Sequence, residues 1–240
     1  MHPLKKLFQL ITGYYTHKVL TLPTGISIEL DIKNKIGYDS INTVFDVGAN
    51  TGQTVEWIRG FLPNTSIFCF EPIEDTFKKL KTNVASDKKV RIEQIAFGNT
   101  PGKKIVRLFE DFSYLNSLRE DLMNADQYAK TEEITIYTID QYCSERGIIH
   151  IDFLKIDTEG YEIQVLEGAE KLLSTRGISM IYCEVGFQSS NSRNTNLSEL
   201  IKYLEEKGFY FFSLYQLMLE GWGKGDYFGN ALFVNKGLIK

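Results

Sequence analysis

The ten residues TVFDVGANTG, Thr43 to Gly52, place an acid near the end of an apolar run and follow it with two glycines; the next stretch, QTVEWIRGF, has helical spacing. A strand entering a glycine loop that opens a helix brings backbone N–H groups and the positive helix end up to a nucleotide-like ligand. Spacing decides which ligand. A triphosphate loop requires G-x-x-x-x-G-K-[ST], so that a lysine reaches the phosphates; GANTGQT is one residue short and has no lysine. A dinucleotide loop requires G-x-G-x-x-G, for close approach of a diphosphate and for helix packing. Asn50 and Gln53 stand where its second and third glycines belong. What remains, Asp46-x-Gly48-x-Asn50-x-Gly52, suits a nucleoside with an amino-acid tail and no diphosphate. The loop backbone passes the ribose and tail, and Asp46 can take the ammonium end.

Glu71, in FCFEP, closes the next strand about 20 residues beyond the loop, where a carboxylate accepts both hydroxyl protons of a ribose. Three more acids, Asp157, Glu159 and Glu184, fall at or near strand ends in LKIDTEG and IYCEV. Ligands of a doubly wound sheet bind outside the carboxyl ends of its strands, so these acids are predicted to share a crevice. Plainer roles stand beside the chemical ones: Asp157 orienting loop backbone, and Glu159 favouring a helix N-terminus through the dipole. His2, His17 and His150 are the only histidines. His150 lies a strand length before Asp157, about 20 Å from the crevice, and reads as structural.

The segment LYQLMLEGWGKGDYFGN sets aromatics among glycines and charges. Its Trp222, Tyr227 and Phe228 could stack on a sugar ring or planar acceptor, or simply pack over the sheet edge. SYLNSLRED and SSNSRNTN could line the acceptor side, with Arg119 and Arg193 available to an acidic substrate group. Two Y-x-x-x-K pairs imitate a short-chain dehydrogenase. Tyr14 and Lys18 precede the glycine loop, the wrong order for such an enzyme, and Tyr203 and Lys207 lie on a helix whose leucines face the core; both pairs read as accidental.

The elements that must position these residues follow from periodicity. From residue 43 onward, apolar strands alternate with amphipathic helices, which predicts an α/β fold with a mostly parallel sheet covered on both faces. Residues about 99 to 140 break the alternation with extra strands and a loop, an insertion before the fourth strand. FYFFSLY and NALFVN read as two neighbouring strands, the last antiparallel. Residues 1–42 form an extension: a helix with Leu4, Leu7, Phe8 and Ile11 on one face, then a hairpin over 19–31, where polar and apolar residues alternate around Pro-Thr-Gly. The helix packs on the domain or touches a membrane surface or a partner. A single domain of 43–240 completes the chain.

At 240 residues, 43% hydrophobic and 24% charged, the chain has the composition of one sizeable soluble core. A net charge of −4 gives no footprint for long nucleic acid. Cys69, Cys143 and Cys183 are odd in number and far apart, which suggests neither a disulfide framework nor a zinc site and fits the cytoplasm. No apolar run is long enough for a signal peptide or transmembrane span.

VFDVGANTGQT, FEP, LKIDTEGYEIQVLEGA and IYCEV, in that order, resemble the FkbM family of S-adenosylmethionine-dependent methyltransferases, over roughly residues 43 to 235. The resemblance implies the class I methyltransferase (Rossmann-like) fold, a doubly wound seven-stranded sheet with the last strand antiparallel, and O-methylation of a sugar, glycan or secondary metabolite. It places the methionine part of S-adenosylmethionine along Asp46, Gly48, Asn50, Gly52 and Gln53, with Asp157 beside them, and the ribose at Glu71 and Pro72. The adenine falls near Ile95, Ala96 and Phe97, where many methyltransferases carry an acid that this sequence lacks. An alcohol is a poor nucleophile at neutral pH, so a carboxylate or metal must assist proton loss. Asp157 and Glu159 are the first candidates for catalytic base, with Glu184 third; magnesium or manganese shared by the three is a further reading. An NAD-dependent sugar dehydrogenase or epimerase and a non-catalytic cofactor-binding partner subunit are the alternatives.

Overall fold

The computed structural model describes residues 11, 22–36, 41–108, 130–188, 194–220 and 226–238. In chain order the elements are α1 (Ile28–Asp31), β1 (Thr43–Val47), α2 (Gln53–Phe61), β2 (Ser66–Phe70), α3 (Glu74–Asn83), β3 (Val90–Glu93), β4 (Ala96–Phe97), β5 (Gly102–Leu108), β6 (Lys130–Tyr137), α4 (Ile139–Arg146), β7 (Ile151–Ile156), α5 (Glu162–Glu167), α6 (Glu170–Ser174), β8 (Ile178–Gly186), α7 (Leu197–Glu206), β9 (Phe209–Glu220) and β10 (Asp226–Asn235).

Seven strands form one sheet in the order β3-β2-β1-β7-β8-β10-β9. Every neighbouring pair is parallel except those of β10, the last strand in the chain, which runs antiparallel between β8 and the edge strand β9. This is the class I methyltransferase arrangement that the family resemblance implies. All of β7 is buried, as a parallel strand covered on both faces requires. Side chains alternate between two cores. Phe45, Val47, Leu154, Ile156, Ile181 and Val185 pack on one face under Val165, Leu166, Leu172, Leu200 and Leu204. Val44, Phe153, Met180 and Tyr182 pack on the other under Val55, Ile58 and Leu80. Strand order reverses between β1 and β7, and the carboxyl ends of these strands part to open a cleft.

The insertion is a second sheet, β4-β6-β5, with its own apolar set of Ala96, Val106, Leu108, Ile134 and Ile136 around Ile73. It roofs one end of the cleft. The stretch VRIEQIAFGN divides between the sheets: β3 joins the large one and β4 the small one. SYLNSL lies outside the described residues, as do Leu4, Leu7 and Phe8 of the expected N-terminal helix; Ile11 is helical and exposed.

The hairpin predicted over 19–31 is corrected where it is described. Ile28–Asp31 is helical, capped by the Ser27 hydroxyl, which accepts from Leu30 N, and continues into a π-helical turn, Ile32–Ile36. Ile28, Asp31 and Ile32 are buried together, the spacing of one helix face; the alternation of a short segment is compatible with either period. Among the described residues, no helix is long and apolar enough to cross a membrane.

Candidate functional site

The cleft is lined by Val47, Gly48 and Asn50 from the β1 loop, Phe70 to Ile73 after β2, and Asp157 to Glu159 after β7. Thr76, Ile95 to Phe97 and Val106 close one end, and Glu184 stands at the other. The glycine loop is tied to the next strand, since Gly48 N and Ala49 N both donate to Phe70 O at 3.0 Å. Gly48 has φ +78°, and a Cβ there would lie 1.9 Å from Asp157 O. Only glycine lets the two loops close against each other. Asn50 also has a positive φ, 47°, which asparagine tolerates better than most residues. Its N–H therefore turns to Glu71.

Glu71 is buried at 7% exposure. Asn50 N donates to its Oε2 at 3.1 Å and Ile73 N to its Oε1 at 3.0 Å. Burial pushes its carboxyl up to about 7, against the two backbone bonds. The end beside it, made by Ile73, Ile95, Ala96, Phe97 and Val106, is apolar, the character that suits a flat heterocycle.

Asp157, Glu159 and Glu184 do converge: one carboxylate oxygen from each lies within 4.8 Å of the others. Asn194 Nδ2 donates to Glu184 Oε2 at 2.5 Å. Glu159 takes a left-handed φ of 53°, and Glu162 organises the loop around it. Oε1 of Glu162 accepts from Thr158 N, Thr158 Oγ1 and Gly160 N, and Oε2 accepts from Thr195 Oγ1. Burial pushes the Glu162 carboxyl up, while these donors oppose it.

Three of the predicted cofactor residues lie elsewhere. Asp46 is fully buried and does not line the cleft. Successive side chains of a strand face opposite ways, so Asp46 shares the face of Val44, and its register partner on β7 is Lys155. Lys155 Nζ is 3.3 Å from Asp46 Oδ1 and 3.1 Å from Asp157 Oδ2. Burial alone disfavours the lysine charge, but Asp157 and Asp46 more than offset it and raise its pKa. Gly52 is the left-handed N-cap of α2, packed on Leu80 and Val84, and Gln53 is exposed on that helix; both serve the turn. Gly48, Asn50, Glu71, Pro72, Ala96 and Asp157 line the cleft.

Tyr227 and Phe228 begin β10 beside Gly186, outside the cleft lining; Trp222, Arg119 and Arg193 lie outside the described residues. His150 bonds Ser179 Oγ at 2.8 Å, away from the site. Lys155 and Glu162 went unread as functional residues. A lysine inside the otherwise apolar IDFLKI was the available signal, because a buried ammonium requires a counter-charge.

The model of the methyltransferase FkbM domain matches residues 46–211. The 2-O-methyltransferase NoeI of Sinorhizobium fredii is 24% identical over 153 residues, 59% of this chain and 63% of that protein. The 31-O-demethyl-FK506 methyltransferase FkbM of Streptomyces tacrolimicus is 26% identical over 155 residues, 54% of this chain and 60% of that protein. The chain thus spans about three fifths of the length of each of these relatives. Among solved structures, precorrin-6y C5,15-methyltransferase from Geobacter metallireducens aligns over 93% of this chain and 94% of its own, at 12% identity and a TM-score of 0.46. Strand order, not that likeness, carries the fold.

Proposed function

The chain belongs to the FkbM methyltransferase family, and on that premise we propose that it is an S-adenosylmethionine-dependent O-methyltransferase acting on a hydroxyl of a sugar, glycan or secondary metabolite. The observation that carries this is the carboxylate of Glu71 in the cleft: each oxygen is steadied by one backbone N–H and keeps lone-pair capacity for a ribose hydroxyl. The rest of the donor set fits an adenosyl group with an amino-acid tail. Ile73, Ile95, Ala96, Phe97 and Val106 offer the base an apolar slot, while the Gly48 backbone and Asp157 flank the tail.

When bound, the cofactor supplies a methyl carbon activated by a sulfonium. The residues of this chain align and desolvate the acceptor oxygen, and they take its proton. Glu159 and Glu184, at the end of the cleft away from the base slot, are the groups placed for that proton. The relatives named for methylation at oxygen support an oxygen acceptor, and a net charge of −4 favours a small molecule or glycan over nucleic acid. Asp157, Glu159 and Glu184 also have the hard oxygen donors that magnesium or manganese takes, and their mutual closeness supports a cation-assisted version of the same step.

Calorimetric titration with S-adenosylhomocysteine and with NAD tests the assignment. Binding of S-adenosylhomocysteine alone is expected; preference for NAD overturns it. With an acceptor found from a panel of sugars and alcohols, loss of turnover in chelator and recovery with magnesium or manganese distinguishes cation assistance from proton removal by carboxylates alone.

A further inference from the structure

Lys155 occupies a strand in which every residue is buried, yet it is not spent on a single partner. On one side stands Asp46, opposite it in register and sealed from solvent. On the other stands Asp157, whose side chain is 37% exposed and lines the cleft. The ammonium donates to Asp157 Oδ2 at 3.1 Å and lies 3.3 Å from Asp46 Oδ1. On the Asp46 side the contact is the longer one, and the Thr54 side chain also stands by that carboxylate. The cation therefore leans on a buried charge and bonds an accessible one.

Asp157 is the cleft acid next to the glycine loop. Its N–H donates to Val47 O at 3.0 Å, and its carbonyl occupies the space a Gly48 side chain would need. With Glu71 given to the ribose, and Glu159 and Glu184 to the acceptor end, the Oδ1 edge of Asp157 is the carboxylate edge beside Gly48. An acid held in one rotamer binds a cationic group without a fresh loss of side-chain freedom.

Resting on the cofactor assignment above, we propose that Lys155 is a positioning residue: braced by buried Asp46, it fixes Asp157 so that the free carboxylate edge receives the ammonium of the cofactor's amino-acid tail. The formal charge of the three groups is −1, two carboxylates and one ammonium. Replacing Asp46 and Lys155 together by neutral residues keeps that sum and removes only the tether. Substituting both partners of a buried ion pair is also far better tolerated than removing one.

The test compares two probes, S-adenosylhomocysteine and 5′-methylthioadenosine, which shares the adenosyl group and lacks the tail. In the Asp46→Asn/Lys155→Met protein, affinity for S-adenosylhomocysteine is expected to fall about tenfold, while 5′-methylthioadenosine binds as before. Lys155→Arg, which keeps the charge and displaces its position, is expected to show the same split to a smaller degree, with melting temperature as the check on folding. Two outcomes overturn the inference: equal loss for both probes, which makes the pair merely structural, or unchanged affinity for both, which makes the tether unnecessary. Failure of the unsubstituted protein to bind either probe instead removes the cofactor assignment itself, and the inference with it.

Discussion

Glu71 combines burial with two backbone donors, and its carboxyl is pushed up to about 7, with burial as the leading cause and Asp46 and Glu132 adding to it. A group that prefers its neutral form in the folded protein contributes stability below the unfolded carboxylate range and loses it as pH rises through the folded value. The ligand-free protein should therefore lose part of its melting temperature between about pH 5 and 8 through this residue. Ribose hydroxyls want the ionised form, so affinity for S-adenosylhomocysteine should climb as pH rises toward about 7 and then level. Glu71→Gln should weaken that affinity by about 1–3 kcal/mol and flatten the climb; a pH series of calorimetric titrations on both proteins reads the two effects together. An unchanged pH dependence in the variant takes Glu71 away from the ribose. The residue was legible because a strand-end acid beyond a glycine loop has few better uses. Asp46 was misread for a reason of the same scale: its direction depends on strand alternation and its partner Lys155 on register, and neither is visible in the local pattern.

The loop after β7 owes its shape to Glu162, the first residue of α5, whose carboxylate gathers donors from Thr158, Gly160 and, across the fold, Thr195. This element holds Asp157 and Glu159 in the cleft, with Gly160 at φ +90° making the turn. Glu162→Ala leaves several buried donors unmet, a cost of about 2–4 kcal/mol, which for a chain of this size lowers the melting temperature by about 4–16 °C. Differential scanning calorimetry measures it; a fall under about 1 °C means that the loop is held by its backbone alone. Sequence periodicity was enough for the long elements of the large sheet, where buried strands and amphipathic helices differ plainly. It failed at 28–31, where four residues cannot separate the two periods and the Ser27 cap decides. Glu162 was likewise hidden, since its partners come from the loop before it and from Thr195, well along the chain.

Over the whole molecule, two cores flank one sheet, and the segment before the family match belongs to the second of them. Ile28 and Ile32 pack with Ile58, Tyr182 and Tyr215. Glu29 accepts from Trp57 Nε1 at 2.9 Å. Asp31, 2% exposed, accepts from Gly25 N at 2.8 Å and from Tyr215 Oη at 2.9 Å, and pairs with Lys35 at 2.8 Å. The segment thus joins α2 to β9 across the helix-covered face, on the side of the sheet opposite the core containing Phe97 and Tyr142. Asp31→Ala strips the buried Tyr215 hydroxyl and the Gly25 N–H of their acceptor at once, so unfolding free energy should drop by about 2–4 kcal/mol. The cleft is built from other residues, so the affinity for S-adenosylhomocysteine should stay within about twofold, as expected for sites without shared partners. Urea melts and titrations on the same preparation separate the two quantities. Parallel loss of both would mean that the N-terminal segment sets the cleft through α2, whose left-handed cap Gly52 closes the glycine loop, and that the methyltransferase domain and its extension act as one unit.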